Sequence, residues 1–151
     1  MKNRVAAVII KNNKILLMRR IKDGRKYFVF PVGGAKKGEN FESAIKREIK
    51  EEFDIDIEIK TFLFRLENKG RVELYFLVDN FIGKPRISGE ERQRINKNNQ
   101  YHLAWKKLSQ IKKVSNLFPK EARDKIAALK LASKVKPKKG RNVRLHPIFK
   151  R

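Results

Sequence analysis

The 151-residue chain has no cysteine. Disulfides, thiolate nucleophiles and zinc–thiolate sites are therefore excluded at the outset. Acidic residues are scarce too: 16 Asp and Glu stand against 39 Lys and Arg, a formal net charge of +23 at pH 7. Such an excess attracts polyanions (nucleotides, nucleic acid or an anionic membrane surface), although a lysine-rich surface also serves solubility alone. Long apolar runs are missing, and nothing approaches the ~20 residues needed to span a bilayer. The opening MKNRVAAVIIKNNK lacks the unbroken apolar run and small-residue cleavage site of a secretion signal. The expectation is a soluble, cytoplasmic protein with no membrane partner. With 40% hydrophobic residues, enough material remains for one domain with its own core.

The few acids present are concentrated. Eight of the 16 lie between Glu39 and Glu58. Such a cluster repels itself unless something positive sits in it, and Lys46, Arg47 and Lys50 meet that need in part. The plainer reading is a solvated charged face. The sharper one is a site for a divalent cation and phosphates.

Hydrophobic periodicity organises the chain. Val5–Ile10 and Ile15–Met18 flank the turn-like Lys11–Lys14 and read as a hairpin, and Tyr27–Phe30 reads as a strand stopped by Pro31 and Gly33-Gly34. Phe41, Ile45, Ile49 and Phe53 recur every fourth residue and predict a helix over 41–53. Strands follow at Asp56–Leu66 and Val72–Ile82, then a polar loop over 83–100, a short strand at Tyr101–Trp105, and a helix over Pro119–Leu131 with proline in its first turn. Two units result: a folded domain over 1–132 and a basic tail over 133–151 that is irregular and partly flexible by composition. Strands interleaved with two helices suggest an α/β sandwich, a mixed sheet flanked by helices.

On the helix over 41–53, Glu48 and Glu52 project from one face a turn apart, with Glu51 beside them. The apolar stripe is rotated away to pack on the sheet, so the carboxylates stand at the edge of the core. Oxygen ligands in this number suit hard cations such as Mg²⁺ or Mn²⁺. Gly33 and Gly34 let the backbone turn and approach a ligand closely, and Glu39 suits the positive end of the helix dipole.

Gly33, five residues, Glu39, seven residues, then Arg47-Glu48-Ile49-Lys50-Glu51-Glu52 and Ile55 resembles the Nudix box at full spacing. Weaker resemblance extends over roughly residues 3–130 and includes Pro31 and Trp105. One position departs: Asp54 stands where the family usually has glycine. A left-handed helix terminus accounts for that glycine, and Asp tolerates the conformation at modest cost. The resemblance implies a Nudix-like α/β/α sandwich and hydrolysis of a nucleoside diphosphate linked to another group, in the manner of MutT-like enzymes. Glu48 and Glu52 would be the main metal ligands with Glu51 assisting, Gly33 and Gly34 would face metal or substrate, and Arg47 would orient the glutamates. Mg²⁺ or Mn²⁺ would activate the attacking water. The general base varies in the family, and Glu90 and Glu91 are the candidates here, with Glu91 preferred.

For the substrate side, only one of Arg19 and Arg20 is expected to contact phosphate, since alternate side chains of a strand face opposite ways, and Arg19 is preferred. Tyr27 and Phe28 could stack on a base, but aromatic residues in a strand are more often core, as is Trp105. His102 and His146 have no partner pattern. A nucleotide-type small molecule is the expected substrate. The basic surface also admits RNA, either as a 5′-end substrate for a pyrophosphohydrolase or as the ligand of a non-catalytic binding module. Isomerase chemistry on the same fold ranks last. Oligomeric state is left open.

Overall fold

The computed structural model describes residues 3–131. Its central strand β1 (Arg4–Lys11) is buried on both faces, which is why it reads as a continuous apolar run rather than an alternating one. β2 (Lys14–Lys22) turns back from it as a hairpin, with Ile10 opposite Ile15. Beyond those first pairs the two strands diverge. β3 (Arg25–Val29) pairs with β2 from Met18 onward, and β4 (Val32–Gly34) pairs with the start of β1. The sheet forks, and β3 and β4 line the fork. On its other edge β1 runs parallel to β7 (Arg71–Val78), which pairs with β6 (Thr61–Asn68). β9 (Asn99–Lys107) lies along all of β2, and the two-residue β10 (Leu117–Phe118) runs beside β3.

Strand alternation sends successive side chains to opposite faces, and each face has its own core. Val5, Ala7, Ile9, Leu16 and Met18 pack with Ala44, Ile45, Ile49 and Phe53 of helix α1 (Phe41–Phe53). Ala6, Val8, Ile10, Ile15 and Leu17 pack with Ala122 and Ile126 of helix α3 (Lys120–Leu129). The expected mixed sheet between helices is therefore what the chain forms.

α1 keeps its anticipated limits. The Asn40 side chain accepts a hydrogen bond from Ser43 N at 2.8 Å, a conventional N-cap. At the other end Asp54 is left-handed (φ 56°, ψ 39°) and its amide donates to Lys50 O at 3.0 Å. Phe41 departs from the anticipated stripe and is exposed.

Other boundaries differ from the sequence reading. Asp56–Leu66 is two elements, β5 (Asp56–Glu58) and β6, and Val72–Ile82 is likewise β7 and β8 (Asn80–Ile82); β5 and β8 leave the main sheet to pair with each other. The stretch 83–100 is no free loop. Arg86 N and Ser88 N donate to Phe53 O and Glu52 O at 3.1 and 2.8 Å, satisfying carbonyls left open at the end of α1. A short helix, α2 (Gly89–Gln93), follows against α1. β9 is longer than anticipated, and Pro119 caps α3 instead of lying within its first turn. The basic tail over 133–151, with His146, lies outside the described residues.

Candidate active site

Arg47 organises one end of the site. Its Nε and Nη2 donate to the two oxygens of Glu39 at 2.8 and 2.9 Å, a fork-to-fork pair. Nη2 also reaches Gly34 O at 3.1 Å, and Nη1 lies 3.2 Å from both Glu48 Oε1 and Glu51 Oε1. One guanidinium thereby ties the glycine loop to the helix carboxylates, a geometry that a lysine ammonium could not reproduce. The Arg47 hydrogen bond, helped by the Lys36 amide, holds Glu39 down at about 2. Arg47 itself is raised, chiefly by Glu39.

Glu48 points from α1 toward β4. A Cβ at Gly33 would collide with its carboxyl group and push Glu48 aside, so the glycine serves close approach and not backbone conformation. Burial raises the Glu48 pKa, and the Arg47 hydrogen bond opposes the rise.

α2 supplies a further carboxylate to the other flank. Gly89 is left-handed (φ +67°), and a Cβ there would stand 2.5 Å from Glu52 Oε1 and 2.7 Å from Glu51 O. This contact, with the Ser88 hydroxyl donating to Glu51 O at 2.7 Å, brings Glu91 beside Glu52. Burial comes first, then the charge of Glu52 and a hydrogen bond with it, in pushing Glu91 up to about 8; Arg20 pulls the other way. Glu91 Oε1 is buried with no hydrogen-bond partner among the described residues. Glu90 points outward and pairs with Arg94 at 2.8 Å. Of the two loop glutamates, only Glu91 is in the site.

Glu48, Glu52 and Glu91 thus form the inner cluster, while Glu51 is more exposed and spent on Arg47. Among the described residues no three such groups converge tightly enough to ligate an ion as they stand. The donor set nevertheless fits a hard cation: all oxygen, mutually repulsive, with one orphaned buried oxygen and a glycine where a side chain would obstruct.

The two arginines of β2 separate by face. Leu16 and Met18 face α1, and alternation puts Arg20 on that face too, whereas Arg19 follows Ile15 and Leu17 toward the α3 face. Arg20 stacks on Tyr101 at 4.1 Å and donates to Asn99 Oδ1 at 2.8 Å, and its Nε is buried without a partner among the described residues. Sequence alternation signalled that only one arginine would face the site, but not which. Tyr27 lies at the mouth of the fork, on a cavity of about 470 Å³ shared with Phe30, Tyr75, Phe118 and the buried Glu73. Glu73 accepts from Tyr75 Oη at 2.8 Å and Asn68 Nδ2 at 3.1 Å, and neither Glu73 nor Tyr75 drew attention in the sequence.

The sequence model of the NUDIX domain matches residues 1–127. This chain belongs to the Nudix family. Solved structures agree with its fold. The E. coli ORF135 protein superposes with a TM-score of 0.67 at 23% identity, over 85% of this chain and 90% of that one. The MutT Nudix hydrolase from Burkholderia pseudomallei gives 0.56 at 27% identity, over 72% and 84%. MutT from Methanosarcina mazei gives 0.60 at 19%, over 84% and 91%. No functionally curated protein matches the chain. No helix among the described residues is long and apolar enough to cross a membrane.

Proposed function

We propose that this Nudix protein is a divalent-metal-dependent pyrophosphohydrolase that cleaves the diphosphate linkage of a nucleoside diphosphate-X substrate, with nucleoside triphosphates the leading class. The reading rests on one observation above the others: Glu48, Glu52 and Glu91 are drawn together on the α1 face, with Arg47 bracing the glycine loop against them.

Glu48 and Glu52 would hold Mg²⁺ or Mn²⁺, with Glu51 at the rim. The ion would supply charge neutralisation at the diphosphate and acidify the attacking water. Glu91, buried beside Glu52, would take the proton of that water. Arg20, with its unpartnered Nε, is the phosphate contact in place of Arg19. Arg47 holds Gly34 and the carboxylates in register and does not itself touch the reacting atoms. The nucleoside would enter the fork cavity, where Tyr27 and Phe118 offer ring faces and Glu73 retains free acceptor lone pairs for a base edge bearing N–H groups.

The test is product release with Mg²⁺ from nucleoside triphosphates, oxidised dGTP, ADP-ribose, dinucleoside polyphosphates and 5′-triphosphate RNA, beside Glu52→Gln. Turnover of one class, abolished in the variant, supports the hydrolase and names its substrate. Absence of turnover on every member, with tight nucleotide or RNA binding retained, would replace it with a non-catalytic binding module.

A further inference from the structure

The β1–β2 hairpin tip is flanked by two grooves that share Asn12 and Lys14. One, of about 440 Å³, is walled by Phe81, Trp105 and Pro85 and rimmed by Lys11, Lys14 and Lys84. The other, of about 580 Å³, continues past Lys107, Lys112 and Lys130. Neither groove has a carboxylate among its lining residues. Both differ in their lining from the fork cavity and from the carboxylate cluster.

Trp105 and Phe81 lie nearly parallel, 17° apart with centroids at 6.5 Å, and Lys11 Nζ sits over the Phe81 ring at 5.5 Å. Trp105 retains 36% of its accessible surface, too much for the purely structural role its position in a strand suggested. Ring faces bordered by lysines are the elements of a sequence-tolerant single-strand binder: aromatic planes for the bases and a cationic track for the backbone. A duplex could use the charges but could not offer base faces to the rings. We infer that the hairpin tip is a docking surface for single-stranded nucleic acid, with Trp105, backed by Phe81, as its stacking platform and Lys11, Lys14 and Lys84 as its phosphate contacts.

Trp105 is the one tryptophan of the chain, so tryptophan emission reports on this groove alone. The full chain, kept metal-free with EDTA to prevent turnover, is titrated with oligo-uridylate of about 10 nucleotides, within the usual span of single-strand sites. Saturable quenching of Trp105 is expected, weakening as salt rises. Phe81→Leu keeps apolar packing and should weaken binding at least about fivefold with the salt slope unchanged. The Lys11→Gln/Lys84→Gln double variant should reduce the log–log salt slope by about 1.4, the loss of two phosphate contacts. Nucleoside triphosphate turnover in the double variant should match wild type, so failure of this inference is distinguishable from failure of the hydrolase reading. Oligonucleotide binding seen by anisotropy without a change in Trp105 emission would overturn the inference. So would quenching by a blunt duplex or by polyglutamate at equal affinity, which would assign the surface to charge alone.

Discussion

Glu39 and Glu91 sit on opposite sides of the same site and respond to pH with opposite signs. Glu39 is held at about 2 in the folded chain against 4.5 for the free side chain. The unfolded chain binds the extra proton between those values. Its contribution to stability is therefore present above pH 4.5 and lost as pH falls through about 2. Glu91 is raised from 4.5 to about 8, so the folded chain keeps a proton that the unfolded chain releases. Its contribution is present below pH 4.5 and lost as pH climbs through 8. In EDTA the urea midpoint should thus decline from pH 5 toward pH 8, and Glu91→Gln should flatten that decline. An unchanged slope in the variant would show that Glu91 is not the group responsible. Arg47→Lys tests the other flank. The ammonium keeps the charge but cannot bridge Glu39, Gly34, Glu48 and Glu51 together, so turnover should drop about 10- to 100-fold, as for other groups that orient metal ligands. Retention of wild-type kcat would mean that charge alone suffices at this position.

The segment from Gly83 to Gln93 shows which parts of the site a single sequence reveals. α1 was legible because its stripe is periodic and its glutamates fall at fixed spacing; the core faces of β1 and β2 followed from alternation. α2 was not legible: five polar residues carry no periodicity, and the segment is ordered by tertiary bonds to the end of α1. For the same reason nothing in the sequence grounds the choice of Glu91 over Glu90, and the choice between Arg19 and Arg20 depends on the phase of a strand against a helix. Asp54 in place of glycine shows a similar dependence, since its carboxylate pairs with Arg86 at 2.9 Å, from the very segment that seals α1. Gly89→Ala tests this element. The added methyl has to displace Glu52 or the Glu51 carbonyl, and the left-handed backbone disfavours alanine as well. Turnover should fall at least tenfold, while far-UV circular dichroism and the cooperativity of unfolding stay close to wild type. If kcat were retained, seating of α2 on α1 would not be what positions Glu91.

At the scale of the whole molecule, one sheet serves two cores with different duties. Ile49 is buried between α1 and the sheet, one residue from Glu48; Ile126 is buried between α3 and the opposite face. Truncating either to alanine removes comparable apolar volume and should cost about 2–5 kcal/mol in urea unfolding. The sites lie on opposite faces in separate clusters, so the double variant should show nearly additive losses. Activity should not follow stability. A cavity under Ile49 loosens the helix that carries Glu48, Glu51 and Glu52, and misplacement of about an ångström in such groups is enough to cost ~100-fold in rate. A cavity under Ile126 leaves those carboxylates seated and affects at most the α3 rim of the fork cavity, where Lys120 lies. Ile49→Ala should therefore lower kcat strongly, and Ile126→Ala should move KM more than kcat. Both are measured well below their unfolding temperatures, so the loss of folded enzyme does not enter. Equal losses of kcat in the two variants would show that the sheet couples the faces, and that the reaction centre does not belong to the α1 side alone.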